Sequence, residues 1–465
     1  MTEAAPRLAA LAETLLGAPL PVRIRAWDGS EAGPPAGPTL VLANRRALRR
    51  VLWRPGELGL ARAWVAGDLT VEGDLFEMLD RVAGLLWERG PAAAPVPETP
   101  PALRRSGLGK LAALRPQLPQ LSERAAGAAG TAALLRDPDA RAALRDLVTL
   151  ARPWPAPAPP PEEAPRRGGA THTRSRDRQA ISHHYDVGNE FYEHVLGPSM
   201  VYSCAYWSPG STLEEAQRDK LDLVCRKLGL QPGRRLLDVG CGWGSMALHA
   251  AREYGVRVTG ITLSREQAVY ARKRAAEEGL ADRLDIRIQD YRDVKDGPYD
   301  AISSIGMAEH VGAERYREYA RTLHALLAPG GRLLNHQIAR PPEPDEEAYR
   351  IDEFIDAYVF PDGELSPLGT TVGELERAGF EVRDVEALRE HYALTLRAWV
   401  ARLEERWEEA VRLTSPGRAR VWRLYMAASA LGFEHGRLGV NQVLAVKPAA
   451  AGRSELPLRL RTWGA

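Results

Sequence analysis

Cysteine is scarce: Cys204, Cys225 and Cys241 are the only three in a chain of 465 residues. Their spacing fits neither a disulfide framework nor a zinc site, so no bound metal is expected and a reducing cytoplasm is the default compartment. Long apolar runs are missing too. No stretch of about 18 apolar residues occurs, so no membrane-spanning helix is expected, while contact with a membrane surface stays open. The first residues, MTEAAPRLAALAETLLGAPL, carry an early acid and no basic region, unlike a secretory signal. An excess of one charge is also lacking. Lys and Arg total 62 against 61 Asp and Glu, a net charge of +1. That balance gives no reason to expect nucleic acid as a partner.

Hydrophobic residues make up 45% of the chain, a globular balance, and the length allows two or three domains. Two stretches interrupt it. Residues 90–120 are rich in Pro, Ala and Arg. Residues 153–178, PWPAPAPPPEEAPRRGGATHTRSRDR, are a stronger break, because proline removes backbone donors and favours extended chain. The expected organisation is a small α+β domain over 1–90, a helical segment and linker over 91–178, a large domain over 179–448 and a tail over 449–465. In the first domain VRIRAW and TLVLANRR read as strands and EMLDRVAGLLWERG as a helix; residues 120–150 also read as helical.

The large domain alternates strand and helix signals, which predicts a parallel α/β sheet with helices on both faces. RRLLDVG is the first strand and runs into the glycine-rich LDVGCGWGS, with Asp238, Gly240, Gly242 and Gly244. Glycines at a strand-to-helix turn let the backbone approach a ligand at the helix N-terminus, although a tight turn alone also uses them. The spacing departs from the dinucleotide pattern, and the second strand, VRVTGITLS, ends without a ribose-binding acid. Thr262, Leu263 and Gln267 stand there instead, and LDIRIQDY brings Asp290 and Tyr291 to the third strand end. This combination, with APGG before the fifth strand RLLNHQIA, resembles the Rossmann-like class of S-adenosylmethionine-dependent methyltransferases.

The resemblance then narrows. HHYDVGNEFYEHVLGPSMVYSCAYW, LDVGCGWGS, GITLSREQ, GMAEHVG, YVFPDGEL and HYALTLRAW occur in this order. Together they resemble the cyclopropane-fatty-acyl-phospholipid synthase and mycolic acid cyclopropane synthase family over about 179–448. The first domain resembles, more weakly, the lipid-binding domain of the phospholipid-acting members. The resemblance implies a reaction between S-adenosylmethionine and the cis double bond of an unsaturated phospholipid acyl chain. It implies cofactor contacts from Tyr202, Ser203, Gly240, Gly242, Gly244, Thr262, Leu263, Gln267, Asp290 and Tyr291, with Asp238 at the head of the loop. It also implies a bound bicarbonate as general base, held by Cys204, Glu309, His336, Ile338 and Tyr392.

Read singly, these residues allow plainer roles. Cys204 can be a small buried group, Glu309 a helix-capping carboxylate, His336 a core histidine and Tyr392 a packing aromatic. Tyr206 and Trp207 can be pocket wall or faces for a cation. One departure is visible: Ser429 in YMAASALGF stands where family members often carry cysteine. The resemblance makes a cyclopropane the default product, with a 10-methylene chain, and then a partner reductase, as the alternative. A small-molecule methyltransferase and an inactive lipid-binding module are the remaining readings. A phospholipid substrate implies a cytoplasmic protein at the inner face of the membrane, drawing an acyl chain into a deep apolar tunnel, with RRALRRVLWR at 45–54 offering arginines to phosphate. A homodimer stays open.

Overall fold

A computed structural model describes residues 3–16, 18–87, 138–151, 155–165, 173–174, 176–177, 187–346, 349 and 351–458. The readings made for residues 88–137, for HHYD at 183–186 and for the last seven residues of the tail lie outside the described residues. The chain divides into two compact units, Met1–Pro159 and Pro160–Ala465.

The first unit carries strands β1 (Arg23–Arg25), β2 (Glu31–Ala32), β3 (Thr39–Leu42) and β4 (Leu69–Glu72), in the order β2-β1-β3-β4. Helices Ala4–Leu16 and Pro138–Ala151 contribute Ala5, Leu8 and Leu150 to a core with Ile24 and Leu42. The basic stretch at 45–54 forms helix Arg46–Trp53, and three of its arginines are bonded within the unit. The buried Asp68 carboxylate accepts from Arg46 Nε at 3.1 Å and Arg50 Nε at 2.8 Å, and Arg49 Nε donates to the Ala151 carbonyl at 3.0 Å. Leaving Asp68 without these partners would strand a buried charge, so these arginines brace the unit.

The second unit is built on strands β5 (Arg235–Val239), β6 (Arg257–Thr262), β7 (Leu284–Ile288), β8 (Tyr299–Ile305), β9 (Leu327–Arg340), β10 (Ser366–Pro367), β11 (Glu381–Ala387) and β12 (Gly439–Val446). Their order is β11-β12-β9-β8-β5-β6-β7, with β10 beside β9. The run β9-β8-β5-β6-β7 is parallel, as expected, and β12 is antiparallel to both β9 and β11. Successive residues of β5 serve opposite faces, as the pleat requires. Leu236 joins Val224, Ala247, Ala250 and Ala271 under helices Leu213–Leu228, Ser245–Tyr254 and Arg265–Glu277. Leu237 joins Tyr316, Leu323 and Leu375 under helices Tyr316–Leu326 and Leu368–Arg377.

Two features depart from expectation. APGG does not precede β9 but lies inside it: the strand starts at Leu327, with Gly330 at φ 79° and a register shift against β8 between Tyr299 and Ala301. The edge strand β11, EVRDVEA, has no apolar run because most of it is only half-buried, which hid it from the sequence pattern.

Candidate active site

After β5 the chain crosses to β6 on one side, while β8 flanks β5 on the other, so the sheet order reverses at the carboxyl end of β5. Open α/β sheets bind ligands at such a crevice. The glycine-rich loop lies there. Gly240 and Cys241 both donate their N–H to the Ile261 carbonyl, at 3.0 and 2.9 Å, which pins the loop to β6. Gly240 has φ 77° and Gly242 φ 53°, in the left-handed region that favours glycine. A cavity opens against them. Asp238, Gly240 and Gly242 line it, and so do Tyr202, Ser203, Thr262, Leu263, Gln267, Asp290 and Tyr291. Gly244 does not. A Cβ there would lie 2.9 Å from the Ala271 Cβ, so Gly244 serves the close approach of helix Arg265–Glu277.

The polar groups around this cavity are bonded to one another. Thr262 Oγ1 donates to Gln267 Oε1 at 2.8 Å, which leaves the Gln267 amide hydrogens for other partners. Burial alone would raise the Asp290 carboxyl, but the Arg292 guanidinium and N–H reverse this and hold it below its ordinary value. Its side chain is therefore committed to Arg292. Tyr291 packs edge-on against Tyr319 at 5.3 Å while still reaching the cavity. Asp238 is buried. Its Oδ1 accepts from Ser303 Oγ at 2.7 Å, and its Oδ2 has no partner among the described residues. Burial pushes its carboxyl up to about 6, against the pull of Ser303 and Lys220. Lys220 Nζ donates to Ser203 Oγ at 2.8 Å, and burial brings this ammonium down to about 8.

None of the residues expected around a base lines this cavity, although Cys204 and Glu309 adjoin its lining residues Ser203 and His310, and strand pairing and hydrogen bonds link the elements that carry them. The Ile338 N–H donates to Glu309 Oε1 at 2.8 Å. Ile338 pairs with Val440 across β9 and β12, and the Val440 carbonyl accepts from the Leu388 N–H at 2.8 Å. The Leu388 carbonyl in turn accepts from the Tyr392 N–H at 3.1 Å and from Cys204 Sγ at 3.6 Å. His336 is two residues before Ile338 on the same strand, and its Nδ1 lies 3.3 Å from Gln442 Nε2. Burial drives the His336 ring well below its ordinary value, with Lys220 and Lys227 adding to the effect, so the ring is neutral. Burial pushes the Glu309 carboxyl up to about 7 against the Ile338 hydrogen bond. It also pushes up the Cys204 thiol, which stays protonated and is no nucleophile.

A family model described as mycolic acid cyclopropane synthetase matches residues 172–443. The chain belongs to that family. It is similar to the probable fatty acid methyltransferase Rv3720 of Mycobacterium tuberculosis, 41% identical over 450 residues, with 94% of each chain covered. It is also similar to the cyclopropane-fatty-acyl-phospholipid synthase of Escherichia coli K12, 38% identical over 261 residues, 56% of this chain and 66% of that one. Among solved structures, the mycolic acid cyclopropane synthase CmaA1 complexed with SAH and CTAB matches with a TM-score of 0.55 and 34% identity, covering 58% of this chain and 97% of that chain.

The protein is thus a methyltransferase of the Rossmann-like, S-adenosylmethionine-dependent class, and its cavity fits that cofactor. Glycines give the backbone close approach, the unpartnered Asp238 Oδ2 is an acceptor, and Ser203 with Lys220 forms a polar, cation-bearing end.

This cyclopropane synthetase family member also encloses a cluster of aromatic rings. Tyr202 lies 5.4 Å from Trp399 and 5.8 Å from both Trp422 and Tyr192. Tyr392 lies 6.1 Å from Trp399 and 4.8 Å from Phe433. The cluster therefore joins the cofactor cavity, through Tyr202, to the base network, through Tyr392. Tyr206 and Trp207 point elsewhere: Tyr206 stacks on His391 at 5.0 Å, and Trp207 Nε1 donates to Thr395 Oγ1 at 3.0 Å. His310 lines the cofactor cavity and meets Phe360 edge-on at 5.6 Å.

Sequence reasoning missed Lys220, Lys227, Gln442, Trp399 and Trp422. A signal for the lysines was present. Lysine is rare in this chain, and these two stand seven residues apart, on the same helical stripe as the buried Leu213, Ala216, Gln217 and Val224. A lysine on an apolar stripe needs a buried partner.

Proposed function

We propose that this protein methylates the cis double bond of an unsaturated phospholipid acyl chain and that the product is a cyclopropane. The observation that carries this reading is a pair of orphaned polar atoms, one on Glu309, which the Ile338 N–H holds, and one on His336, two residues before Ile338 on β9. Glu309 Oε2 and His336 Nε2 are both buried, and neither has a hydrogen-bond partner among the described residues. Unpaired buried polar atoms are costly, and a small ligand bonding to both would relieve that cost.

S-adenosylmethionine supplies an electrophilic methyl group when bound. An alkene has no proton to lose before attack, so the protein's task is alignment in a dry pocket rather than activation of a nucleophile. Methylation leaves positive charge on the acyl chain. The faces of Tyr202, Tyr392, Trp399 and Trp422 can stabilise that charge by about 0.5–2 kcal/mol each. They also keep out water, which would trap the cation as an alcohol. Ring closure then needs loss of a proton from the new methyl group. Bicarbonate, held by His336, Tyr392, Glu309 and the backbone at Cys204, with the Ile338 N–H holding the Glu309 carboxyl in place rather than the anion, is the base in this reading. A Glu309 carboxyl near 7 can accept from the anion's hydroxyl or donate to its oxygen. The lipid comes from a bilayer, which places the protein at the inner membrane surface.

One observation favours a second outcome. Two relatives that match over nearly the whole chain are named probable fatty acid methyltransferases rather than cyclopropane synthases. A 1,2-hydride shift before loss of the methyl proton would give a 10-methylene chain, and a partner reductase would then complete a methyl branch. Proton NMR of oleoyl phospholipid after incubation with the protein and S-adenosylmethionine separates the outcomes. High-field cyclopropyl signals support the ring, vinylidene signals support the 10-methylene chain, and unchanged lipid defeats both.

A further inference from the structure

His336 on β9 stands in register with Gln442 on β12. Its Nδ1 and the Gln442 Nε2 are 3.3 Å apart. An imidazole nitrogen alone can donate or accept, so the direction of this bond has to be fixed by its neighbours. Gln442 Oε1 accepts from Lys227 Nζ at 2.8 Å. An ammonium only donates, so the amide oxygen must face Lys227 and the amide NH₂ must face the ring. Lys227 is held in turn by an ion pair with Glu386, and it is fully buried. Turning the Gln442 amide over would set NH₂ against the ammonium and abolish the Lys227 bond. Nδ1 therefore accepts. A neutral ring whose Nδ1 accepts carries its proton on Nε2, the nitrogen that has no partner among the described residues.

We infer that Lys227 and Gln442 are positioning residues that lock His336 in the Nε2–H tautomer, so the ring offers the reaction site a hydrogen-bond donor and no basic lone pair. This rests on the proposed reading that an oxyanion occupies the site, and it deepens that reading. With its only lone pair committed to Gln442, His336 cannot be the base, and proton removal falls to the anion it holds. The two scarce lysines divide the work. Lys220 serves the cofactor side through Ser203, and Lys227, two helical turns on, serves the base side through Gln442.

The test is nitrogen-15 NMR of the intact protein with labelled histidine side chains, His336 being assigned by its loss in His336→Gln. The expected spectrum shows protonated Nε2 and bare Nδ1. Gln442→Glu places a carboxylate that accepts from both Lys227 and the ring. The proton should move to Nδ1 or the ring should become cationic, and turnover should fall about 10–100-fold, as is usual when an outer partner is lost. Affinity for S-adenosylmethionine should not change. A wild-type ring protonated on Nδ1 overturns the lock, and so does a tautomer that Gln442→Glu leaves as it was. If the tautomer switches but turnover holds, the lock stands and the oxyanion reading falls. Should Gln442→Glu fail to fold, the wild-type spectrum alone decides.

Discussion

The backbone N–H of Ile338 donates to Glu309 Oε1 at 2.8 Å and ties β9 to the turn that follows β8. This bond fixes one carboxyl oxygen and leaves Oε2 to face the site without a partner among the described residues. Glu309→Gln keeps the shape and removes the ionisable group. Turnover should fall ~10²–10⁴-fold, the range for loss of a positioned acid–base group, while calorimetry should show S-adenosylmethionine bound as in the parent. Loss of both would assign Glu309 a structural role.

The same carboxyl makes stability depend on pH. Burial raises it from 4.5 to about 7, so the folded chain keeps a proton that the unfolded chain releases in that window. The folded state's advantage is complete at low pH and is lost as pH rises from about 4.5 through about 7, by on the order of 3 kcal/mol. Asp238, raised to about 6 by burial, adds a slope of the same sign at lower pH. The melting temperature of the parent should therefore drop more between about pH 5 and about pH 8 than that of Glu309→Gln. Parallel curves would show that Glu309 ionises as freely in the folded state as in the unfolded one.

What the sequence made legible was local. A strand, three glycines and a helix in succession announce a ligand-binding turn, and every cofactor residue named from the motifs except Gly244 lines one cavity. What stayed hidden depends on distant pairing. Lys227 meets Gln442 across 215 positions, and nothing near either residue signals the other. Trp399 and Trp422 lie on long helices whose periodicity reads only as core. β11 escaped because a half-buried edge strand full of charge shows no apolar run.

The glycines of the loop should respond differently to alanine. At Gly244 a Cβ would come within 2.9 Å of the Ala271 Cβ at φ 83°, so Gly244→Ala should cost about 1–3 kcal/mol of stability, read as a lower melting temperature. At Gly242 a Cβ would meet nothing within 4 Å, and the strain of φ 53° should cost about 1–2 kcal/mol at most. Because Gly242 lines the cavity, Gly242→Ala should instead weaken S-adenosylmethionine binding. The reverse pattern would remove Gly242 from the cofactor site.

Lys220→Met removes the cation beneath Ser203 at nearly constant volume. The cost of burying that ammonium disappears with it, so the fold should tolerate the change. Lys220 lines the cofactor cavity, so loss of its charge should weaken S-adenosylmethionine binding roughly 10–100-fold by calorimetry, the size of one charge-assisted contact. Unchanged affinity would make Lys220 a structural lysine only.

The central claim is that the acceptor is an acyl double bond. Vesicles of dioleoyl phosphatidylglycerol, whose headgroup has no amine, are compared with vesicles of the distearoyl lipid, using S-adenosylmethionine carrying a carbon-13 methyl group. Label recovered in the acyl chains of the unsaturated lipid and absent from the saturated one is the predicted result. Label in neither, or equally in both, would contradict it.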